Sequence, residues 1–551
     1  MAAIKIPGSP YTLITTRIAE PGRSNNEWRN QGAFAALTER GSIITWGRGY
    51  DGGERPAGLQ GKFVDLFANR HSFAGLRADG SLVTWGAGRK GGNSSQVASA
   101  LSSGVERVFS TRRAYAALKR DGSVVTWGEA KEGGDSSRVA GDLKGGVKEI
   151  FTSSTSMAAL KRDGSVVTWG LATTDARSEE LGGNIDTGEP RGGDSSSVAQ
   201  QLKGNVQTIF STRYAFAALK KNGSVITWGD SKRGGDSSSV SKQLKGGVRT
   251  ITSTGYAFTA LKTNGSAVCW GLASRGGDAN KVADQLRKDV KDVYSARFAF
   301  AARLKGGAVV TWGDSKRGGN SSSVKQELRG GVQDIFSARY AFAALKKNGS
   351  VITWGHAKKG GNSRSEADDL KSGVEQIFST RYAFAALKKD GSVITWGQAS
   401  AGGDSSSVAK KLRDGVVHIF TTGYAFAALK DDGSVVSWGD PSRGGDSSKA
   451  LAGIKEKVIG FADPFSRPTS SIRWRKSIHD PIVDGMQRRS TSRDGQTMLD
   501  GQEPNTRKSQ SAPITEPGLN GLQLAQATAH PFNQDLLADA KVGFANADPW
   551  G

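Results

Sequence analysis

Along most of the chain, short apolar runs and glycine-marked polar breaks follow one another on a fixed period. In residues 205–246, NVQTIFSTRYAFAALKKNGSVITWGDSKRGGDSSSVSKQLKG, the apolar positions gather into VQTIF, YAFAAL and SVITWG. Each run is short, rich in β-branched or aromatic residues and bounded by turn residues, which predicts three strands per unit. Between the second and third runs stands Asn222-Gly223, and other units carry Asp390-Gly391 or Asp432-Gly433 there. Such pairs supply the positive φ angles of a tight hairpin. The remaining GGDSSSVSKQLKGG opens on glycines and an Asp-Ser run able to cap one helical turn, and it closes on Gly-Gly. Each unit therefore reads as a small antiparallel sheet plus a loop or a single helical turn.

The Trp-Gly that ends the third run marks the repeat at Trp46, Trp85, Trp127, Trp169, Trp228, Trp270, Trp312, Trp354, Trp396 and Trp438. Seven of the nine intervals are 42 residues, one is 39 and one is 59. A three-stranded sheet cannot cover both of its faces alone, and stacking such sheets around a ring solves that problem while leaving only short edges. The period fits propeller blades rather than helical solenoid repeats. The fold class expected is all-β, a β-propeller of about ten mostly three-stranded blades over 1–462. Ten blades exceed the usual range of about four to eight, which leaves one ring, two rings or an open spiral. The unbroken rhythm from Trp228 to Trp438 favours one continuous body. Residues 463–551 lose the period, are polar and proline-punctuated, and read as a largely disordered tail, with a short helix expected over LLADAK.

GGVQDIFSARYAFAALKKNGSVITWG (330–355) resembles the regulator of chromosome condensation repeat, V-x-x-I-x-x-G-x-x-H-x-x-A-L-x-x-D-G-x-V-x-x-W-G. It is more similar still to the repeat of the bacterial type II β-lactamase inhibitory protein. The resemblance covers roughly 11–462. It implies a propeller whose loops between first and second strands lie on the face that grips partner proteins. This chain departs from the pattern in three ways. The family's Gly before that loop is Ser or Thr in most units, its His occurs only as His71, and ten units exceed the seven blades common in both relatives.

The formal net charge of +23 is confined to the repeats: residues 461–551 hold ten Lys and Arg against ten Asp and Glu, a balance of zero. A basic body favours polyanions or acidic protein surfaces. The single cysteine, Cys269, excludes internal disulfides and occupies the strand slot held elsewhere by Thr227, Thr311 or Thr395. Neither a secretory leader nor an 18-residue apolar span is legible, so a soluble protein is expected, cytoplasmic or exported without a cleavable signal. The five histidines, His71, His356, His418, His479 and His530, stand at unrelated repeat positions, and no phosphate loop or nucleophile elbow occurs. Asp194, Asp236, Asp404 and Asp446 recur after Gly-Gly, but Asn93, Asn320 and Asn362 replace them in other units, as a turn tolerates better than a cation site. No cofactor, metal or catalytic residue is expected, and the chain is not read as an enzyme.

The loop between the first two strands carries more than folding needs. Arg213-Tyr214, Arg297-Phe298, Arg339-Tyr340 and Arg381-Tyr382 pair a guanidinium with an aromatic ring. Tyr256 and Tyr424 follow glycine at the same place, and Arg70-His71 and Arg112-Arg113 are more polar relatives. Rotational equivalence puts all of them at one end of the ring, as a broken crown of residue types that dominate interaction hot spots. The crown either contacts a partner or bridges neighbouring blades. A second outlier is the acidic insert at 171–190, with Asp175, Glu179, Glu180, Asp186 and Glu189 against Arg177. These features point to a non-enzymatic binding or scaffold module that grips a protein, or a polyanion such as nucleic acid. The alternatives carried by the resemblance are guanine-nucleotide exchange on a small GTPase and inhibition of an enzyme.

Overall fold

In the unit built around Trp228, the strands Val206–Ser211, Ala215–Lys220 and Val225–Gly229 form one antiparallel sheet in sequence order. Its register sets Phe216 beside Trp228 and Ile209 beside Ala218. The structure, a computed structural model, describes residues 29–54, 56, 59–172 and 191–462, together with the backbone alone of strands Ala2–Lys5, Tyr11–Thr15 and Arg473–Lys476. Ten such sheets recur, one for each repeated tryptophan. Both faces of a sheet are apolar because each is covered by a neighbour. Phe210, Ala215, Ala217 and Leu219 pack against Ile251, Phe258 and Trp270 of the next blade. On the opposite face Ile209, Phe216 and Trp228 pack against Phe151, Ala158 and Leu160 of the preceding one. The alanines on the first face accept the large rings of the second, which is why an alanine-rich strand recurs.

All ten tryptophans act as latches between blades. Trp228 Nε1 donates to the carbonyl of Gly192 in the preceding blade at 3.1 Å, and Trp270 does the same to Gly234 at 3.1 Å. The series continues around the chain, and Trp46 closes it by donating to Gly444 at 3.0 Å. Each indole needs such a partner because burial takes its N–H away from water. At Gly234 a side chain would put Cβ only 2.6 Å from Phe258 of the next blade, and φ is +104°, so glycine is required where the indole docks.

The two ends of the repeat array meet in one blade. Strand Val458–Phe461 pairs with Ala33–Thr38, which pairs with Ile43–Gly47. Phe461 and Val458 join Phe34, Trp46, Ala425, Ala427 and Leu429 in one core cluster. The ring is therefore a single closed ring of ten blades, which settles the choice between one ring, two rings and a spiral. The first strands of neighbouring blades contact one another and so lie nearest the axis. Hydroxyls stitch them together: Ser211 donates to the Thr152 carbonyl at 2.9 Å and Ser253 to that of Ser211 at 2.8 Å.

Three local expectations change. The hairpin after Lys220 is a longer turn in which Gly223 alone adopts positive φ (+78°), while Asn222 accepts from the Ser224 N–H at 3.0 Å. A three-residue loop of this kind needs left-handed backbone only at its last position. The helical turns are 3-10 in type in all but one blade, and this unit has two, Ser231–Arg233 and Ser238–Val240. Tyr214 lies in the loop and not in the strand, which begins at Ala215. Asp236 and Asn320 close Asx turns by accepting from Ser238 N–H (2.8 Å) and Ser322 N–H (2.9 Å). Within the segment read as an irregular tail, Arg473–Lys476 pairs with Tyr11–Thr15, which in turn pairs with Ala2–Lys5. The LLADAK helix and insert residues 173–190 lie outside the described residues. No helix among the described residues is long and apolar enough to cross a membrane.

One buried titratable group makes the core sensitive to acid. His418 stands on a first strand where other blades carry Thr208 or Gln376, wedged 4.8 Å from the ring of Phe378 and 5.0 Å from that of Phe420. Burial pushes its pKa down to about 3. The unfolded chain, titrating near 6.5, takes up the proton first. Stability therefore falls as pH drops below about 6.5, by roughly 1.4 kcal/mol per unit and about 2 kcal/mol in total at pH 5. Denaturant unfolding at pH 7 and pH 5 is expected to show this loss, and His418→Gln to reduce it by that amount. An unchanged acid slope in the variant would contradict this assignment.

Candidate functional site

The loop between first and second strands and the loop after the third strand emerge at the same end of the ring. Threonine ties them together. Thr212 Oγ1 accepts from the Ala215 N–H at 3.0 Å and donates to the Arg233 carbonyl at 3.0 Å. Thr254 and Thr422 hold Arg275 and Arg443 in the same way, at 3.1 and 3.2 Å. In these three blades threonine is thus a clip that fixes the basic residue preceding Gly-Gly.

The sequence-expected aromatics form a continuous arc over six blades. Ring centroids of Tyr214, Tyr256, Phe298, Tyr340, Tyr382 and Tyr424 follow one another at 6.2, 5.7, 5.4, 5.7 and 5.8 Å. The arginines of the crown lie between blades. Arg213 and Arg297 both donate to the Tyr256 hydroxyl at 3.3 Å, Arg339 donates to Tyr382 at 3.2 Å and Arg381 to Tyr424 at 3.4 Å. Arg213 is 0% exposed and Arg297 1% exposed, so their guanidiniums sit inside the ring wall. Arg339 is buried and Arg381 half-buried. Along the arc Tyr214, Phe298 and Tyr382 are buried, whereas Tyr256, Tyr340 and Tyr424 are half-exposed. Burial pushes the Tyr256 phenol up, but Arg297 and Arg213 outweigh that effect and hold its pKa at about 7.

The remaining expected residues belong to a separate, ion-paired arc. Arg70 is buried, and its carbonyl accepts from the Gln31 N–H at 3.0 Å. His71 Nδ1 lies 2.8 Å from Asp51 Oδ1, yet burial, reinforced by Arg70, brings its pKa down to about 4. Arg112 pairs with Glu132, and Arg113 reaches the same carboxylate at 3.6 Å. Ser154 and Thr155 hold the corresponding place in the next blade and carry no ring. The crown is therefore two arcs, one aromatic and one polar.

Sequence reasoning missed the outer tier. Along the aromatic arc, six basic residues stand one position before Gly-Gly: Arg191, Arg233, Arg275, Arg317, Lys359 and Arg443. Arg191 and Arg233 lie 4.4 and 4.9 Å from the Tyr214 centroid, Arg275 and Arg317 both 4.8 Å from Phe298, and Arg443 4.0 Å from Tyr424. Lys359 Nζ lies 4.6 Å from Tyr340 and 4.7 Å from Tyr382. The side chains of Arg233, Arg275, Arg317 and Arg443 keep 34, 26, 35 and 30% of their surface, and Lys359 is likewise half-exposed, so solvent reaches all five. The signal was present in RGGDSS, RGGNSS and KGGNSR, which the turn reading absorbed whole. Exposed Lys232, Lys316 and Lys358 stand beside them. Cys269 remains a strand residue: burial pushes its thiol up to about 12.

Cations fixed over aromatic faces can attract and orient an anionic surface, because the desolvated ring side holds each charge in place. The arc thus offers an array of charges at repeating positions.

No protein-family model and no curated protein matches the chain. Its strands are similar to several solved propeller proteins. Prp20p of Saccharomyces cerevisiae, a structure described with its binding to Gsp1p and histones, shares 14% identity over 63% of this chain and 85% of its own, with a TM-score of 0.31. The complex of Kap60 with yeast RCC1 (Prp20) matches at 13% identity over 88% and 97%, TM-score 0.31. The ectodomain of the Physcomitrella patens receptor kinase CR4 matches at 15% identity over 58% and 75%, TM-score 0.29. The propeller assigned to this chain rests on its own ten latched sheets.

Proposed function

We propose that this propeller is a non-enzymatic binding module whose aromatic arc, with its outer tier of cations, grips an acidic protein surface. The observation that carries this reading is the repeated placement of half-exposed Arg and Lys over aromatic rings at one end of the ring. The buried arginines below shape that surface without forming it. Charge of this kind speeds encounter and sets register, while the half-exposed Tyr256, Tyr340 and Tyr424 add area that a partner can desolvate. The inhibitory protein resembled by the repeats makes an enzyme one form that such a partner could take.

The test compares the two ends of the ring. Lys232, Lys316 and Lys358 are changed together to Glu on the arc, and exposed Lys221, Lys347 and Lys389 are changed to Glu at the hairpin end. Binding of a fluorescent oligoglutamate peptide by the full chain is then read by anisotropy. Reversal on the arc is expected to weaken binding by about tenfold or more, and reversal at the hairpin end by about twofold. Equal losses from both ends would reduce the interaction to net charge and overturn the proposal.

A further inference from the structure

Five of the six outer cations of the aromatic arc have a carboxylate beside them. Asp230 pairs with Arg233 of its own loop and with Arg191 of the preceding loop, the latter at 2.9 Å. Asp314 pairs likewise with Arg317, at 2.7 Å, and with Arg275. Asp440 lies 3.4 Å from Arg443. Lys359 is the exception. Its own loop carries His356 where the aspartates stand, and the following loop carries Gln398. Among the described residues no carboxylate lies within ion-pair distance of Lys359.

The backbone at the exchanged positions is the same. φ and ψ are −60° and 115° at Asp230, −65° and 113° at Asp314, −71° and 114° at His356, and −72° and 119° at Gln398. Only the side chain differs. His356 Nδ1 is buried and has no hydrogen-bond partner, and the His356 ring lies edge-on to Tyr340 at 6.3 Å. In the next loop, Ala401 stands where the other loops place their cation, so Lys359 is not crowded from that side. The result is an ammonium held between two tyrosine rings, with exposed Lys358 adjacent and the usual internal anion missing.

Resting on the binding role proposed above, we infer that Lys359, His356 and Gln398 form the seat for one carboxylate of the partner's acidic segment, taking the place that Asp230 and Asp314 fill elsewhere. A charge partly desolvated on aromatic faces gains more from an opposite charge than a free surface lysine does. The arc would then bind in a fixed register, with this seat as its anchor.

Supplying the internal carboxylate should close the seat. His356→Asp and Gln398→Asp each place it on backbone already shaped for it, and Lys221→Gln makes the same change of net charge at the hairpin end. With the oligoglutamate probe, each Asp variant is expected to bind about tenfold more weakly, and Lys221→Gln within about twofold of the parent. Losses no greater than that of Lys221→Gln would overturn the seat. If the arc reversal at Lys232, Lys316 and Lys358 still weakened binding in that case, the broader reading would survive without it. No binding by the parent chain would overturn both. A single-stranded oligonucleotide of equal charge is the second arm. Tighter binding of it than of the peptide, lost in both Asp variants, would assign the seat to phosphate and overturn the carboxylate assignment.

Discussion

A chain that stops at residue 456 is expected to lose its closed ring and most of its cooperative stability, while one that stops at 462 keeps both. Residues 458–461 are the first strand of the blade that holds Trp46, paired as Ala36 with Phe461 and Thr38 with Val458. Phe461 stacks on Phe420 of the neighbouring blade at 4.0 Å and meets Phe34 and Trp46 edge-on at 5.8 Å. The backbone adds the Ala462 N–H to the Ala35 carbonyl at 2.8 Å and the Val458 N–H to the Gly433 carbonyl at 3.2 Å. Without this strand one blade is two-stranded, its axial edge is bare and its neighbour's face is open to water. The lost burial of Phe461 and Val458 alone costs about 5 kcal/mol. An opened array also melts from its ends, since each unit then depends only on its neighbours. Calorimetry should show one sharp transition for the 1–462 chain and a broadened, lower one for the 1–456 chain. Phe461→Ala alone should cost about 3 kcal/mol. Coincident transitions for the two truncations would remove the closing role from this strand.

The fold was legible because its determinants repeat. The positions of Trp228, Phe216, Ala217 and Gly223 recur in nearly every unit, and each has one packing job that follows from strand alternation and turn chemistry. Closure was not legible, because 458–461 joins 33–47 across almost the whole chain and its four residues lack the rest of a unit. The site was read in part. Equivalence of the units placed the crown residues at one end of the ring, where the structure has them. What one sequence does not reveal is depth. Arg213 and Arg233 are both arginines near a tyrosine, and only packing distinguishes the wall from the surface. The wall position follows from the loop's approach to the next blade: at Gly255 a Cβ would lie 3.1 Å from Arg213 Cδ. The outer tier escaped notice because its basic residue sits inside a glycine run whose turn function was already sufficient to explain it.

That difference in depth gives opposite outcomes for two arginine variants. Arg213→Ala removes a guanidinium that spans from its own Tyr214, 5.7 Å away, to the Tyr256 hydroxyl of the next blade. It leaves a gap in the wall and should cost about 3 kcal/mol of stability. Arg233→Ala removes a half-exposed side chain, should cost less than about 1 kcal/mol and should weaken the acidic probe about tenfold. Tyr256 offers a readout that packing loss alone does not move. Its phenol, held at about 7 by Arg297 and Arg213 against burial, ionises well below the unfolded value. The folded chain therefore binds fewer protons than the unfolded one between about pH 7 and 10, and stability gains from this group as pH rises through that window. In spectrophotometric titration one tyrosine should ionise near pH 7. That step should be absent in Tyr256→Phe, should move upward in Arg213→Ala because one of its two cations is gone, and should shift little in Arg233→Ala. An Arg213→Ala chain that melts like the parent but fails to bind would return this arginine to the partner face. The buried geometry instead predicts a weakened ring with a raised Tyr256 titration and, at low temperature, an acidic probe still bound through Arg233, Arg317 and Lys359.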